Sequence, residues 1–189
     1  MPIHLRPTSR REFLQRSLLA GTGLALAPEL LAAAPRPTDP KSWALLADTH
    51  LAADTAKVSR DVNMADHFNA VSTELLALAK RPAGVFVVGD LALNTGEPGD
   101  YATFTQLVQP LRDGGLPLHL ALGNHDQRDH FWTALEENQA AKRPVTDKQV
   151  ALIRAPDTNW FVLDSLEKTL STPGLLGQAQ LDWLTAALD

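Results

Sequence analysis

An α/β fold with neighbouring parallel strands is predicted by three short apolar runs, by helix-like stretches alternating with them, and by a polar signature where each run ends. Trp43-Ala44-Leu45-Leu46-Ala47 stops at Asp48-Thr49-His50, Val85-Phe86-Val87-Val88 at Gly89-Asp90, and Leu118-His119-Leu120-Ala121-Leu122 at Gly123-Asn124-His125-Asp126. Each run is too short for a helix and is bounded by breakers, so each predicts a buried strand. Between the first two, Val62 to Lys80 carries Met64, Phe68, Val71, Leu75 and Leu78 at helical spacing and stops near Arg81-Pro82. Pro98 to Asp113, closed by Gly114-Gly115, predicts a second helix, Asp129 to Asn138 a third, and Gln178 to Leu188 a fourth. This alternation favours parallel pairing. Gln149 to Arg154 and Trp160 to Asp164 flank Ala155-Pro156-Asp157-Thr158-Asn159 and predict a β-hairpin that begins a second sheet.

Parallel neighbours bring their carboxyl ends to one edge of a sheet, where open α/β folds bind ligands. There Asp48, His50, Asp90, Asn124 and His125 would converge as hard oxygen and imidazole donors without sulfur. Such a set suits Mn, Fe or Zn better than a cysteine-rich structural zinc site. Each signature alone is weak, since Gly and Asp are ordinary turn residues. The three in order, about 35 to 45 residues apart, match one βα unit and its return strand.

On these motifs, Asp-x-His, Gly-Asp and Gly-Asn-His-Asp, the chain resembles the calcineurin-like metallophosphoesterases from about Trp43 onward. The spacing is similar to the branch holding cyclic-nucleotide phosphodiesterases and purple-acid-phosphatase-like enzymes. The resemblance implies an α/β/β/α sandwich and a two-metal hydrolase. It also implies that Asp48 and His50 bind one ion, Asp90 bridges both, and Asn124 binds the second. His125 would then protonate the leaving oxygen or stabilise the transition state, with Asp126 orienting it. Family members carry later Gly-His and Gly-His-x-His motifs, whereas the histidines here are His4, His50, His67, His119, His125 and His130. The resemblance therefore implies a C-terminally incomplete sandwich, the front part of a longer protein: either a fragment of a fuller chain or a polypeptide with an incomplete site of Asp48, His50, Asp90 and Asn124.

The residue types suit the chemistry on their own terms. A phosphate ester is anionic and repels hydroxide, so hydrolysis near neutral pH requires positive charge and an activated water. Two cations about 3.5 to 4 Å apart supply both. A bridging carboxylate such as Asp90 offsets their repulsion, and a neutral amide such as Asn124 adds an oxygen without quenching Lewis acidity. The expected reaction is hydrolysis of a phosphate mono- or diester by a metal-bridging hydroxide, on a small phosphate-ester substrate.

Ser9-Arg10-Arg11-Glu12-Phe13-Leu14 matches the twin-arginine export signature, and Leu18 to Ala27 follows as a short apolar stretch interrupted by Gly21 and Gly23. That stretch is too short to span a bilayer stably. Residues 1–34 are expected to be a signal peptide read by the twin-arginine export machinery, 35–42 a Pro-rich linker, and 43–189 the domain, periplasmic or otherwise extracytoplasmic. The chain has no cysteine, hence no disulfide framework, thiolate ligand or lipoprotein anchor.

Removing residues 1–34 takes away Arg6, Arg10, Arg11 and Arg16 against Glu12 and Glu29, so the formal charge of −5 becomes −7. An acidic remainder with no Lys/Arg cluster argues against a nucleic-acid binding face. Among the other polar residues, His67 reads as a surface histidine and His119 as a core histidine satisfying a hydrogen bond. Arg128, His130 and Asn94 read first as structural and second as substrate contacts, and the four tryptophans as packing. Two rival functions remain: a catalytically inactive periplasmic module retaining the scaffold, favoured by the absent histidine motifs, and a dinucleotide-binding enzyme. The latter is opposed because no Gly-x-Gly-x-x-Gly follows a strand and Gly21-Thr22-Gly23 lies in the export signal.

Overall fold

Residues 36–135 and 143–188 are described by a computed structural model. The expected signal peptide and residues 136–138 of the expected third helix lie outside them. From Pro37 onward the chain forms one compact unit. Its elements are β1 (Thr38–Asp39), β2 (Ala44–Ala47), β3 (Val58–Ser59), β4 (Val62–Asn63), α1 (Met64–Ala77), β5 (Arg81–Pro82), β6 (Val85–Val88), α2 (Pro98–Asp113), β7 (Leu118–Ala121), α3 (Arg128–Leu135), β8 (Ala151–Arg154), β9 (Asn159–Val162) and α4 (Gln178–Leu188).

The three apolar runs form one parallel sheet in the order β2-β6-β7. Its register pairs Ala44, Val85 and Leu118 in one row and Leu46, Val87 and Leu120 two residues on. Strand side chains alternate, so these six share a face. That face packs on the helices: Phe68 of α1, Tyr101 and Phe104 of α2, and Phe131 of α3 join Val85, Val87 and Leu120 in a single core. The opposite face presents Phe86 and His119. Trp160 of β9 covers them, 4.9 Å from Phe86 between ring centroids, with Trp43 5.3 Å from Phe86. Phe161, the next residue of β9, points the other way and meets Trp183 of α4 at 6.4 Å. Helices, parallel sheet, hairpin and α4 thus stack in the α/β/β/α order. The hairpin covers only part of its face, and Leu45 and Val88 remain 62% and 51% exposed.

Several boundaries differ from expectation for local reasons. Val62 and Asn63 pair with Ser59 and Val58 in a hairpin, so α1 begins two residues late. Asn63 caps it, accepting from the Asp66 amide at 3.0 Å. The helix stops at Ala77 because Leu78 is extended, and Arg81, restricted by Pro82, pairs as β5. Its partner β1 lies inside the expected linker, so Thr38 and Asp39 form a strand there. In the second hairpin Asn159 pairs with Arg154, which shortens the turn to Ala155–Thr158. Helices α2 and α4 fall on their expected spans. No helix among the described residues is long and apolar enough to cross a membrane.

Candidate metal centre

The loops that leave β2, β6 and β7 are laced together by their own backbones at the carboxyl edge of the sheet. Asp48 N donates to Gly89 O at 3.2 Å, His50 N to Asp90 O at 2.9 Å, and Gly89 N to Ala121 O at 3.2 Å. Leu51 and Ala92 then form a parallel bridge that continues the pairing beyond the strands. To turn their side chains inward so soon after a strand, Asp48, His50 and Asp90 adopt φ of 54°, 42° and 50°. This left-handed region is uncommon for residues other than glycine, although Asp, Asn and His enter it more readily than most. Gly89, at φ 78°, begins the second loop. Gly123 serves another purpose: a Cβ there would overlap both the amide and the carboxylate of Asp90.

Asp48, His50 and Asp90 each place a ligand atom within 4.8 Å of the other two. His50 Nε2 lies 3.9 Å from Asp48 Oδ1 and 3.8 Å from Asp90 Oδ2. Donors at about 2 Å from a shared cation can stand roughly 4 Å apart, so the three residues fit an ion between them. The other oxygen of Asp90 accepts from the His125 amide at 2.9 Å. That bond fixes the third loop to the second. The His125 ring stands edge-on to His50, centroids 5.1 Å apart. Asn124 occupies the same loop, its carbonyl accepting from Leu170 N at 2.7 Å, and its side chain has no hydrogen bond among the described residues. Asp48, His50, Asp90 and His125 line a cavity of about 450 Å³.

One assignment made from the sequence changes, the orienting role of Asp126. His125 Nδ1 sits 2.6 Å from the main-chain carbonyl of Asn94. A carbonyl only accepts, so Nδ1 carries the proton and Nε2 is left open. The expected orienting carboxylate, Asp126, is fully buried and does not hold this ring. It accepts from the amides of Leu91 (3.1 Å), Ala92 (3.2 Å) and Gly123 (2.8 Å) and from the Tyr101 hydroxyl (3.0 Å). Burial outweighs these donors and pushes the Asp126 carboxyl above its ordinary range. Burial and the neighbouring charge push the Tyr101 phenol up as well, which keeps it a donor. The same hydroxyl accepts from Gln127 N at 2.8 Å. Asp126 is therefore a clasp between the second and third loops and α2, because its side chain faces inward where His125 faces the cavity.

The secondary candidates resolve as structural. Arg128 forks onto Asp164 at 2.9 and 3.1 Å, and His130 Nδ1 lies 2.8 Å from Gly96 O. His119 meets Phe86 with ring centroids 5.0 Å apart and makes no side-chain hydrogen bond among the described residues, and burial lowers its pKa. Asn94 contributes through its backbone, at φ 54°, and also lines the cavity. Arg60, which no motif marks, also lines the cavity; its signal in the sequence is Arg60-Asp61 set between the two valines of Val58-Ser59 and Val62-Asn63.

The model of the calcineurin-like phosphoesterase family matches residues 43–184. The chain belongs to that family. This phosphoesterase domain is 30% identical over 151 residues to a protein described as a probable cyclic nucleotide phosphodiesterase of Rhodococcus erythropolis, a match covering 76% of the chain and 46% of the relative. The chain thus spans less than half the length of that curated relative. Among solved structures it is similar to a purple acid phosphatase from yellow lupin (Lupinus luteus) seeds. The TM-score is 0.51 at 15% identity, over 82% of this chain and 29% of that one. At such low identity the likeness concerns the fold, and it agrees with the layer order described above.

Proposed function

We propose that this domain hydrolyses a phosphate mono- or diester with the help of two cations, Mn, Fe or Zn, held by Asp48, His50, Asp90 and Asn124. The observation that carries this reading is the meeting of Asp48, His50 and Asp90, from two separate loops, beside one cavity. When bound, the ions would supply charge neutralisation and a lowered pKa for a coordinated water. The chain's own groups do the rest. Asp90 is tied through one oxygen to the His125 amide and through its own carbonyl to His50 N, so it holds both neighbouring motifs in place. His125, its Nδ1 proton committed to Asn94, keeps Nε2 as the atom that can carry a proton to a leaving oxygen.

Calorimetric Mn²⁺ titration and bis-p-nitrophenyl phosphate hydrolysis test the proposal. Asp90→Asn is expected to lose metal and activity together, whereas His125→Ala keeps metal and loses turnover. Loss of metal in His125→Ala, or hydrolysis by the wild type that survives chelation, would contradict it. Export is the second part of the proposal. Arg10-Arg11 within Ser9-Arg10-Arg11-Glu12-Phe13-Leu14 supports twin-arginine transport to an extracytoplasmic compartment. Replacing both arginines by lysine should leave the protein inside the cell; unchanged export on fractionation would refute it.

A further inference from the structure

Between Asp48-Thr49-His50 and α1 the chain makes a tight antiparallel excursion whose two turn residues are Arg60 and Asp61. Ser59 pairs with Val62 and Val58 with Asn63, so the loop is two residues long. Both turn residues have positive φ, 50° and 63°, the geometry in which Asn and Gly are strongly preferred. An arginine has no local hydrogen bond to offset that conformation, which is disfavoured for an ordinary L-residue. Nothing in the fold accounts for its presence. Arg60 is exposed, and its guanidinium makes no ion pair or hydrogen bond among the described residues, Asp48 and Asp90 included.

The side chain nevertheless lines the same cavity as Asp48, His50, Asp90 and His125, and among the described residues it is the only lysine or arginine there; Asp61 does not line it. The excursion is also anchored. Asn63 donates from Nδ2 to Thr55 O at 2.9 Å and caps α1 with its oxygen. The arginine is therefore held at the rim of the cavity by a short, braced ribbon.

We infer that Arg60 is a specificity residue for the phosphoryl group, its guanidinium taking non-bridging oxygens of the ester bound in the cavity. The inference rests on the proposed function. A planar fork of donors suits two phosphoryl oxygens, and a charge that never titrates suits an anionic substrate. Because Arg60 makes no ion pair with Asp48 or Asp90, its contribution is separable from metal binding. It acts on affinity more than on the reacting bond.

Inorganic phosphate is the probe, titrated calorimetrically into the full chain with Mn²⁺ and again in chelator. The variants are Arg60→Gly, Arg60→Lys and, as a control for loss of one positive charge elsewhere, Arg154→Ala at the exposed end of β8. In Arg60→Gly the phosphate Kd and the KM for bis-p-nitrophenyl phosphate should rise about tenfold, as loss of a charge-assisted contact at an exposed site implies. Its kcat should stay within about twofold, on the same reasoning that only binding is lost. Arg60→Lys should fall between, and Arg154→Ala should match the wild type. Melting temperature in Arg60→Gly should hold or rise, since glycine suits the turn. The assignment is overturned if Arg60→Gly binds phosphate as the wild type does in both states, if the wild type binds none in either, or if Arg154→Ala weakens binding equally. A chain that takes up no Mn²⁺ overturns the proposed function alone, because the titration in chelator still reports on Arg60.

Discussion

Replacing Asp126 by asparagine separates two roles that look alike in sequence. If the carboxylate merely oriented His125, the amide would preserve shape and stability and alter only the pH dependence of turnover. The geometry demands a different outcome. Oδ1 takes the Ala92 amide and the Tyr101 hydroxyl, Oδ2 takes the Gly123 amide at 2.8 Å, and the Leu91 amide lies 3.1 and 3.2 Å from the two. An asparagine keeps one acceptor and places an NH₂ group against the Gly123 amide, leaving a buried donor facing a donor. An unsatisfied buried group costs about 1–3 kcal/mol. Two effects of similar kind arise, at Gly123 and at the shared Leu91 amide, and part is recovered because a neutral side chain escapes the burial that raises the Asp126 pKa. A net loss of about 2 kcal/mol remains. For a domain of this size that lowers Tm by roughly 4–8 °C. Because Asp126 positions Leu91 and Gly123, which flank Asp90 in the chain and in space, Mn²⁺ affinity should fall as well. Thermal unfolding in chelator isolates the structural part, and calorimetry measures the second. An Asp126→Asn protein that melts with the wild type in chelator would refute the clasp.

Gly123→Ala should lower metal affinity at least tenfold and cost about 1–3 kcal/mol, because the added methyl overlaps Asp90; paired metal titration and denaturant unfolding check both. Arg128→Ala leaves Asp164, fully buried, without its bidentate partner; denaturant unfolding should show a loss of about 3–5 kcal/mol, while KM of the folded fraction stays unchanged. His119 is packed among Trp43, Phe86 and Gly84, and its folded pKa lies below the ordinary 6.5. The associated stability is present above pH 6.5 and lost as pH falls through the folded pKa, so His119→Phe should flatten the acid side of a stability-against-pH curve measured by denaturant unfolding.

The parts of the fold that sequence shows are those in which local chemistry and tertiary role coincide. Val85–Val88 is apolar on both faces and bounded by Gly84 and Gly89, so a largely buried strand fits it, and Val85 to Val87 are buried. Pro98–Asp113 is bracketed by a Pro at its first turn and Gly114-Gly115 at its end, and the helix occupies that span. Val62 and Asn63 sit within a helical hydrophobic period, yet pairing with Val58 and Ser59 claims them, and Arg60-Asp61 lacks the glycine that would have marked the turn. The meeting of Asp48, His50 and Asp90 was legible because a parallel order forces strand ends together. The partner of His125 was not, since it is a main-chain carbonyl, which every residue carries. Adjacency in sequence made Asp126 the natural candidate, but successive residues in a tight loop point apart, one to the cavity and one to the core.

A single requirement links the loop conformations with the residue types. Asp48, Asp90 and Asn94 all stand at φ near 50°, and Asp and Asn are the residues other than glycine that tolerate this region best because their short polar side chains bond locally. After β2 and β6 the side chains suited to bind a cation are therefore also those that let the backbone reverse within two residues of the strand end. Ligand and turn are one choice, which is why Asp90→Asn, keeping the turn while removing the charge, is the cleaner probe of metal binding and alanine is not. His50 and Arg60 lie outside this economy. Each sits at positive φ with a larger side chain, and each directs that side chain to the cavity. Where a residue is held against its backbone preference, the core gains nothing from it and its side chain lines the cavity, the site supplies a reason. Arg60 meets that description through the phosphoryl contact assigned to it, whereas His50 is of a residue type that enters this region more readily and turns its ring toward Asp48 and Asp90.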